Sequence, residues 1–170
     1  MKKIIIALFS SILVFLLIFI SFLIFAIINY TTILSCYFPT NYYFYRMHKI
    51  IVRGDKDWDG EVEGIFHHLQ NCNYNKRQLA EKLLADKDGT IVSLGMDLIV
   101  LESLPDGDIL LSKYQNDQRW NFNMKYNSQY SKFLLVVWKI KNNIQLNEKD
   151  KEIVTGWSKD YFTRLGVEPI

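Results

Sequence analysis

Hydrophobic and polar positions divide this chain into one long unbroken apolar run and a series of short amphipathic stretches. The run is Ile4 to Ile28, IIIALFSSILVFLLIFISFLIFAII, without a charge or a proline. At about 1.5 Å per residue, a helix of this length spans roughly 37 Å, enough to cross a hydrocarbon core of about 30 Å with some tilt. The remainder alternates on a helical period. Val62–Asn71 predicts one helix, and Lys76–Ala85 a second, with Leu79, Ala80, Leu83 and Leu84 at 3–4 spacing and Asn75 as its N-cap. After the turn Asp86-Lys87-Asp88-Gly89, residues Ile91, Leu94, Leu98 and Leu101 form one stripe of a third helix. Pro105-Asp106-Gly107 is a strong break. Ile109–Tyr114 reads as a short helix, and Arg119–Asn127 is left open between irregular chain and a strand pair. The apolar stretch inside Ser131–Lys141 is too short to span a bilayer and reads as a buried core element. Asn147 and Asp150 open a last helix through Arg164, with Trp157, Tyr161 and Leu165 facing inward. The fold class is therefore mainly α: an N-terminal transmembrane helix followed by a small helical domain.

The apolar run exceeds the roughly 7–15 residues of a signal-peptide core and lacks a small-x-small cleavage pair, so an uncleaved single-pass anchor is expected. A processed alternative rests on Ile33-Leu34-Ser35-Cys36, which resembles a bacterial lipobox and would make this a lipid-anchored envelope protein through Cys36. Both readings hold the protein on a membrane. Lys2 and Lys3 precede the run without a nearby acid, favouring a cytoplasmic N-terminus and an outside C-terminal domain in the cytoplasmic membrane. Arg46, Lys49 and Arg53 form a second basic cluster on the far side, which weakens that bias.

Organisation follows from these boundaries: residues 1–29 as anchor, 30–54 as an aromatic and basic juxtamembrane segment, and 55–170 as a helical extramembrane domain. In the middle segment Tyr37, Phe38, Tyr42, Tyr43, Phe44 and Tyr45 suit a headgroup belt. Arg46, Lys49 and Arg53 share one helical face that would meet anionic headgroups. The competing reading places the aromatics in a core and the charges in solvent.

The 170 residues carry 20 basic and 18 acidic side chains, net +2; without Lys2 and Lys3 the two signs balance at 18 each. A neutral body argues against a general nucleic-acid binder. Abundant Ile, Asn, Lys, Tyr and Phe fit AT-rich codons and a bacterial source. Cys36 and Cys72 can pair if the domain faces an oxidising compartment, and no CxxC or Cys/His metal spacing occurs.

The stretch around 62–104, carrying LAEKLLADKDGTIVSLGMDLIVLESL, resembles a single HEAT-like repeat unit: a helix, a short acidic turn, and a helix with Gly95 where its partner packs closely. It departs where such units usually carry Arg, a position held here by Val92. The resemblance implies a surface for binding another protein and no chemistry.

One motif has a chemical rationale. Asp55-Lys56-Asp57-Trp58-Asp59-Gly60 matches the opening of an EF-hand calcium loop, with Glu61 and Glu63 as further oxygen donors. The twelfth position, normally a bidentate Glu, is Phe66. An incomplete calcium site competes with a simple polar turn capping the next helix. His67 and His68 are adjacent and point apart on a helix; His67 shares a face with Glu63. No nucleophile motif, Walker loop or dinucleotide fingerprint occurs, and no residue is singled out as catalytic. The expected function is binding of a protein partner beside the lipid bilayer, as a bacterial immunity or envelope-accessory protein would do. A calcium-responsive extracytoplasmic module is the alternative.

Overall fold

The computed structural model describes residues 2–28, 36–54, 57–119 and 127–169, and the described residues form helices without strands. The helices are α1 (Lys2–Ile28), α2 (Thr40–Arg53), α3 (Trp58–Asn71), α4 (Lys76–Leu84), α5 (Gly89–Leu101), α6 (Gly107–Ser112), α7 (Asn127–Lys141), α8 (Glu148–Thr155) and α9 (Lys159–Arg164). The chain divides into two compact units, Met1–Asn73 and Tyr74–Ile170. Helices α2 and α3 both belong to the first unit.

In the first unit, the backbone of α1 is helical for 27 residues, and its described side chains, 11–25, are exposed on every side. Among the described residues no helix is long and apolar enough to cross a membrane. The next element, α2, follows Pro39 and buries Tyr43, Met47 and Ile50, an i, i+4, i+7 stripe. Tyr37 and Tyr45 stay exposed, so the aromatic segment is split between core and surface. Gly54 ends α2 at φ +61, a left-handed turn that glycine adopts at little cost, and its N–H returns to the Ile50 carbonyl at 3.2 Å. The chain then reverses. Arg53 meets Glu61 at 2.6 Å near the start of α3, and the Tyr43 ring lies 5.3 Å from His68 near its end. This makes α2 and α3 an antiparallel pair. Helix α3 begins at Trp58, a turn earlier than the apolar spacing predicts, because Asp59 and Glu61 in its first turn complement the helix dipole.

The second unit is built around α5. Every residue from Gly89 to Val100 is buried, which explains why its apolar pattern runs beyond one stripe. Its N-cap is Asp88, whose carboxylate accepts from the Thr90 N–H at 2.8 Å. Helix α4 presses on it at Gly95: a β-carbon there would lie 2.9 Å from Leu83 Cβ and 3.0 Å from the Leu84 nitrogen. The expected cap of α4 is present, with Asn75 Oδ1 accepting from the Gln78 N–H at 3.0 Å. Helix α7 packs on α5 and also contacts α6 and α8. At Gly107 the α6–α7 contact is close: a β-carbon would lie 2.7 Å from Trp138 Cδ1, and the indole N–H donates to the Leu104 carbonyl at 3.1 Å. Ser131–Lys141 is the expected buried element, but the helix starts four residues earlier, at Asn127, whose side-chain amide donates to the Gly89 carbonyl at 3.0 Å. The undecided segment Arg119–Asn127 lies mostly outside the described residues.

The single helix expected from Asn147 to Arg164 is two. Asn147 and Asp150 form a reciprocal capping box for α8, which ends at Gly156. Ser158, at ψ 154, leaves the helical region before α9 starts. Glycine followed two residues later by a residue that favours N-cap positions ends one helix and starts the next. The expected inward stripe survives in part: Leu165 is buried, whereas Trp157 and Tyr161 are half-buried.

Candidate functional site

Three places concentrate chemistry, one in the first unit and two in the second. The first lies at the end of α3. His68 and Cys72 are four residues apart, hence neighbours on one helical face. Cys72 is buried, and its Sγ lies 3.4 Å from His68 Nε2. Cys36, half-buried on the short turn before α2, is bonded to Cys72, with their Cα atoms 5.3 Å apart. Among the described residues, Cys36, His68 and Cys72 form a group whose ligating atoms all lie within 4.8 Å of one another. Burial holds the His68 imidazole below the usual histidine range, so the neutral ring is favoured. A sulfur in this bond has no thiol for a lipid, so the disulfide and the Cys36 lipid anchor exclude each other.

The acidic motif is placed differently. Asp55 lies outside the described residues. Asp57 immediately precedes α3, and Asp59, Glu61 and Glu63 belong to its first two turns. Two residues along a helix turn the side chain by about 200°, so Asp59 and Glu61 diverge. Asp59 Oδ1 accepts from the Gly60 N–H at 2.9 Å, and Glu61 pairs with Arg53. Among the described residues these carboxylates are not gathered within ligating distance of one another. Of the basic face, Arg53 meets Glu61, the Arg46 guanidinium lies 6.0 Å from the Tyr42 ring centre, and Lys49 is exposed.

The second place is a polar network inside the helical unit. Asp97, with 3% of its side chain exposed, sits on α5. One carboxylate oxygen accepts from the Tyr130 hydroxyl on α7; the other meets Arg164 Nη2 on α9 at 2.6 Å. Arg164 also donates to the Tyr130 oxygen at 2.8 Å. Burial, then the Asp97 charge, push the Tyr130 hydroxyl well above the usual tyrosine range, so it stays protonated and donating. Around it, Trp157 stacks on Phe133 at 4.3 Å, and Phe162 meets Phe133 edge-on at 5.2 Å. Sequence reasoning missed this triad: Asp97 interrupts an otherwise apolar helix, the signal by which it could have been found.

The third is a groove of about 480 Å³ between α7 and α8, with Leu135, Val136 and Ile153 on its floor and Lys132, Lys149 and Glu152 along it. A neighbouring depression shares Lys132 and Ile153 and extends to Gly156 and Trp157. Beside the groove, Lys139 Nζ pairs with both Asp150 oxygens at 2.8 and 2.9 Å. Burial alone would raise the Asp150 carboxyl, but the Lys139 bond and the Asn147 N–H outweigh it and hold the group below the usual range. No family model, curated protein or solved structure matches this chain.

Proposed function

We propose that this protein is a membrane-tethered binding module, with Lys2–Ile28 as a single-pass anchor and the helical body holding a protein partner beside the bilayer. One observation carries the reading: α1 presents apolar side chains around its whole circumference, from Ile12 and Leu13 to Phe25, all exposed. Water does not tolerate such a cylinder, and a helix that is apolar all round belongs in lipid or in a large core. Lys2 and Lys3 favour a cytoplasmic N-terminus, and a Cys36–Cys72 bond suits the oxidising side. The groove between α7 and α8 supports the binding role, combining an apolar floor with flanking lysines.

The test has two arms. Carbonate washing of membranes should leave the full chain in the pellet, and removal of residues 4–28 should release it; release of the full chain refutes the anchor. A photocrosslinking residue placed at Ile153 in cells should give a discrete protein adduct, while one at Lys82, an exposed position on α4, should not. Equal labelling from both positions refutes the groove as the binding face.

A further inference from the structure

We infer that, when the Cys36–Cys72 bond is reduced, Cys36, Cys72 and His68 form a three-ligand site for a thiophilic divalent cation of the zinc type. The inference is independent of the anchor and the partner. It rests on the convergence of two sulfurs and an imidazole nitrogen within 4.8 Å, from two separate stretches of chain. His68 and Cys72 are held by the last turn of α3, where the Cys72 N–H donates to the His68 carbonyl at 3.0 Å. Tyr43 packs beside the imidazole with ring centres 5.3 Å apart, which fixes the ring's plane. Cys36 approaches from the turn before α2.

The geometry suits a small tetrahedral ion. With metal–sulfur bonds of about 2.3 Å, two thiolates in a tetrahedral site stand about 3.8 Å apart. Cysteines whose Cα atoms are separated by 5.3 Å reach that spacing by side-chain rotation alone. Two thiolates neutralise a divalent cation, so the half-buried site gains no net charge. Sulfur and imidazole donors select zinc-like ions over calcium or magnesium, which require oxygen.

The chemistry balances. A dithiol reductant supplies two electrons and two protons, becoming a disulfide while Cys36 and Cys72 become thiols. The cation then displaces both thiol protons to solvent and takes the neutral His68 nitrogen as its third ligand. Covalent bond and metal close the same loop from residue 36 to residue 72. The tether between the segment after α1 and the end of α3 therefore persists on either side of a redox boundary.

The test uses the full chain in detergent, reduced with a phosphine, and titrated with cobalt(II) as an optical stand-in for zinc. Reduced protein should give a thiolate-to-cobalt charge-transfer band that saturates at one equivalent and bleaches when zinc is added. Oxidised protein should give none. Cys72→Ser should abolish the band, and His68→Gln should weaken cobalt binding by more than about tenfold, at least the loss that an outer-shell partner causes. A silent reduced wild type, a band from oxidised protein, or unchanged affinity in His68→Gln overturns the inference. Should His68→Gln lose helicity, X-ray absorption of the wild-type zinc complex decides instead. Two sulfurs with an imidazole nitrogen support the site; a shell lacking either overturns it.

Discussion

Replacing Tyr130 by Phe and Arg164 by Ala, singly and together, tests whether Asp97 is held by a coupled network or by two independent contacts. The Asp97 carboxylate is almost completely withdrawn from water, so each partner it loses leaves charge poorly solvated. Tyr130→Phe removes one hydrogen bond to a charged acceptor, worth about 1.5–3 kcal/mol, and keeps the ring stacked among Phe133 and Trp157. Arg164→Ala breaks a pair whose basic side is 39% exposed. Solvent screening there brings the cost below the roughly 3–5 kcal/mol of a fully buried pair, to about 2 kcal/mol. Because Arg164 also donates to the Tyr130 oxygen, the first loss weakens the second contact, and the costs should fail to add by about 1 kcal/mol. Urea unfolding of the detergent-solubilised chain, followed by tryptophan fluorescence, reads this directly. At a slope of about 2 kcal/mol/M, each single variant should lower the midpoint by about 1 M. Single losses that add within about 0.3 kcal/mol would refute the network, and losses under about 0.5 kcal/mol would refute the burial argument behind it.

Other changes have equally definite outcomes. Gly107→Ala drives a methyl group into the Trp138 indole and should cost about 1–3 kcal/mol, measured as a lower thermal midpoint; the exposed Gly156, with open space around it, should tolerate alanine. Asn75→Ala removes the cap of α4 and should cost about 1 kcal/mol in the same assay. Asp150 is held below its unfolded value, so its contribution is present above the ordinary carboxyl value of 3.8 and is lost as acid protonates it. Asp150→Asn should therefore lower stability at neutral pH and flatten the fall below about pH 4, as seen in urea midpoints across that range.

What the sequence makes legible is set by how locally each feature is determined. The helix starts at Lys76 and Glu148 are readable because Asn75 and Asn147 cap them through bonds reaching three residues. The small residue at Gly95 is readable because a close helix crossing needs one there. The break at Gly156–Ser158 is harder, since the Trp157, Tyr161 and Leu165 spacing continues through it and a periodic pattern does not register a change in backbone direction. The Asp97 network is illegible for a different reason. Its members lie 33 and 67 positions apart, and no local spacing links an acid on α5 to a tyrosine on α7 and an arginine on α9. His68 is intermediate. Its four-residue offset from Cys72 is plain in the sequence, but one histidine and one cysteine do not make a metal spacing, and Cys36 enters only through the fold.

The position of Cys36 ties the candidate chemistry to the proposed anchor. It lies eight residues beyond Ile28, and a chain of that length reaches at most about 28 Å even when fully extended. If α1 occupies a bilayer, the Cys36–Cys72 link holds the end of α3 within that distance of Ile28 plus the 5.3 Å between the two Cα atoms. Without the link, Cys72 is covalently joined to Cys36 only along the chain, 36 positions on. Under the proposed anchor, the disulfide acts on the unit's distance from the lipid as well as on its stability. In metal-free protein its reduction should loosen that distance before it unfolds α2 and α3, whose packing also includes the Arg53–Glu61 pair and the buried Tyr43, Met47 and Ile50 stripe.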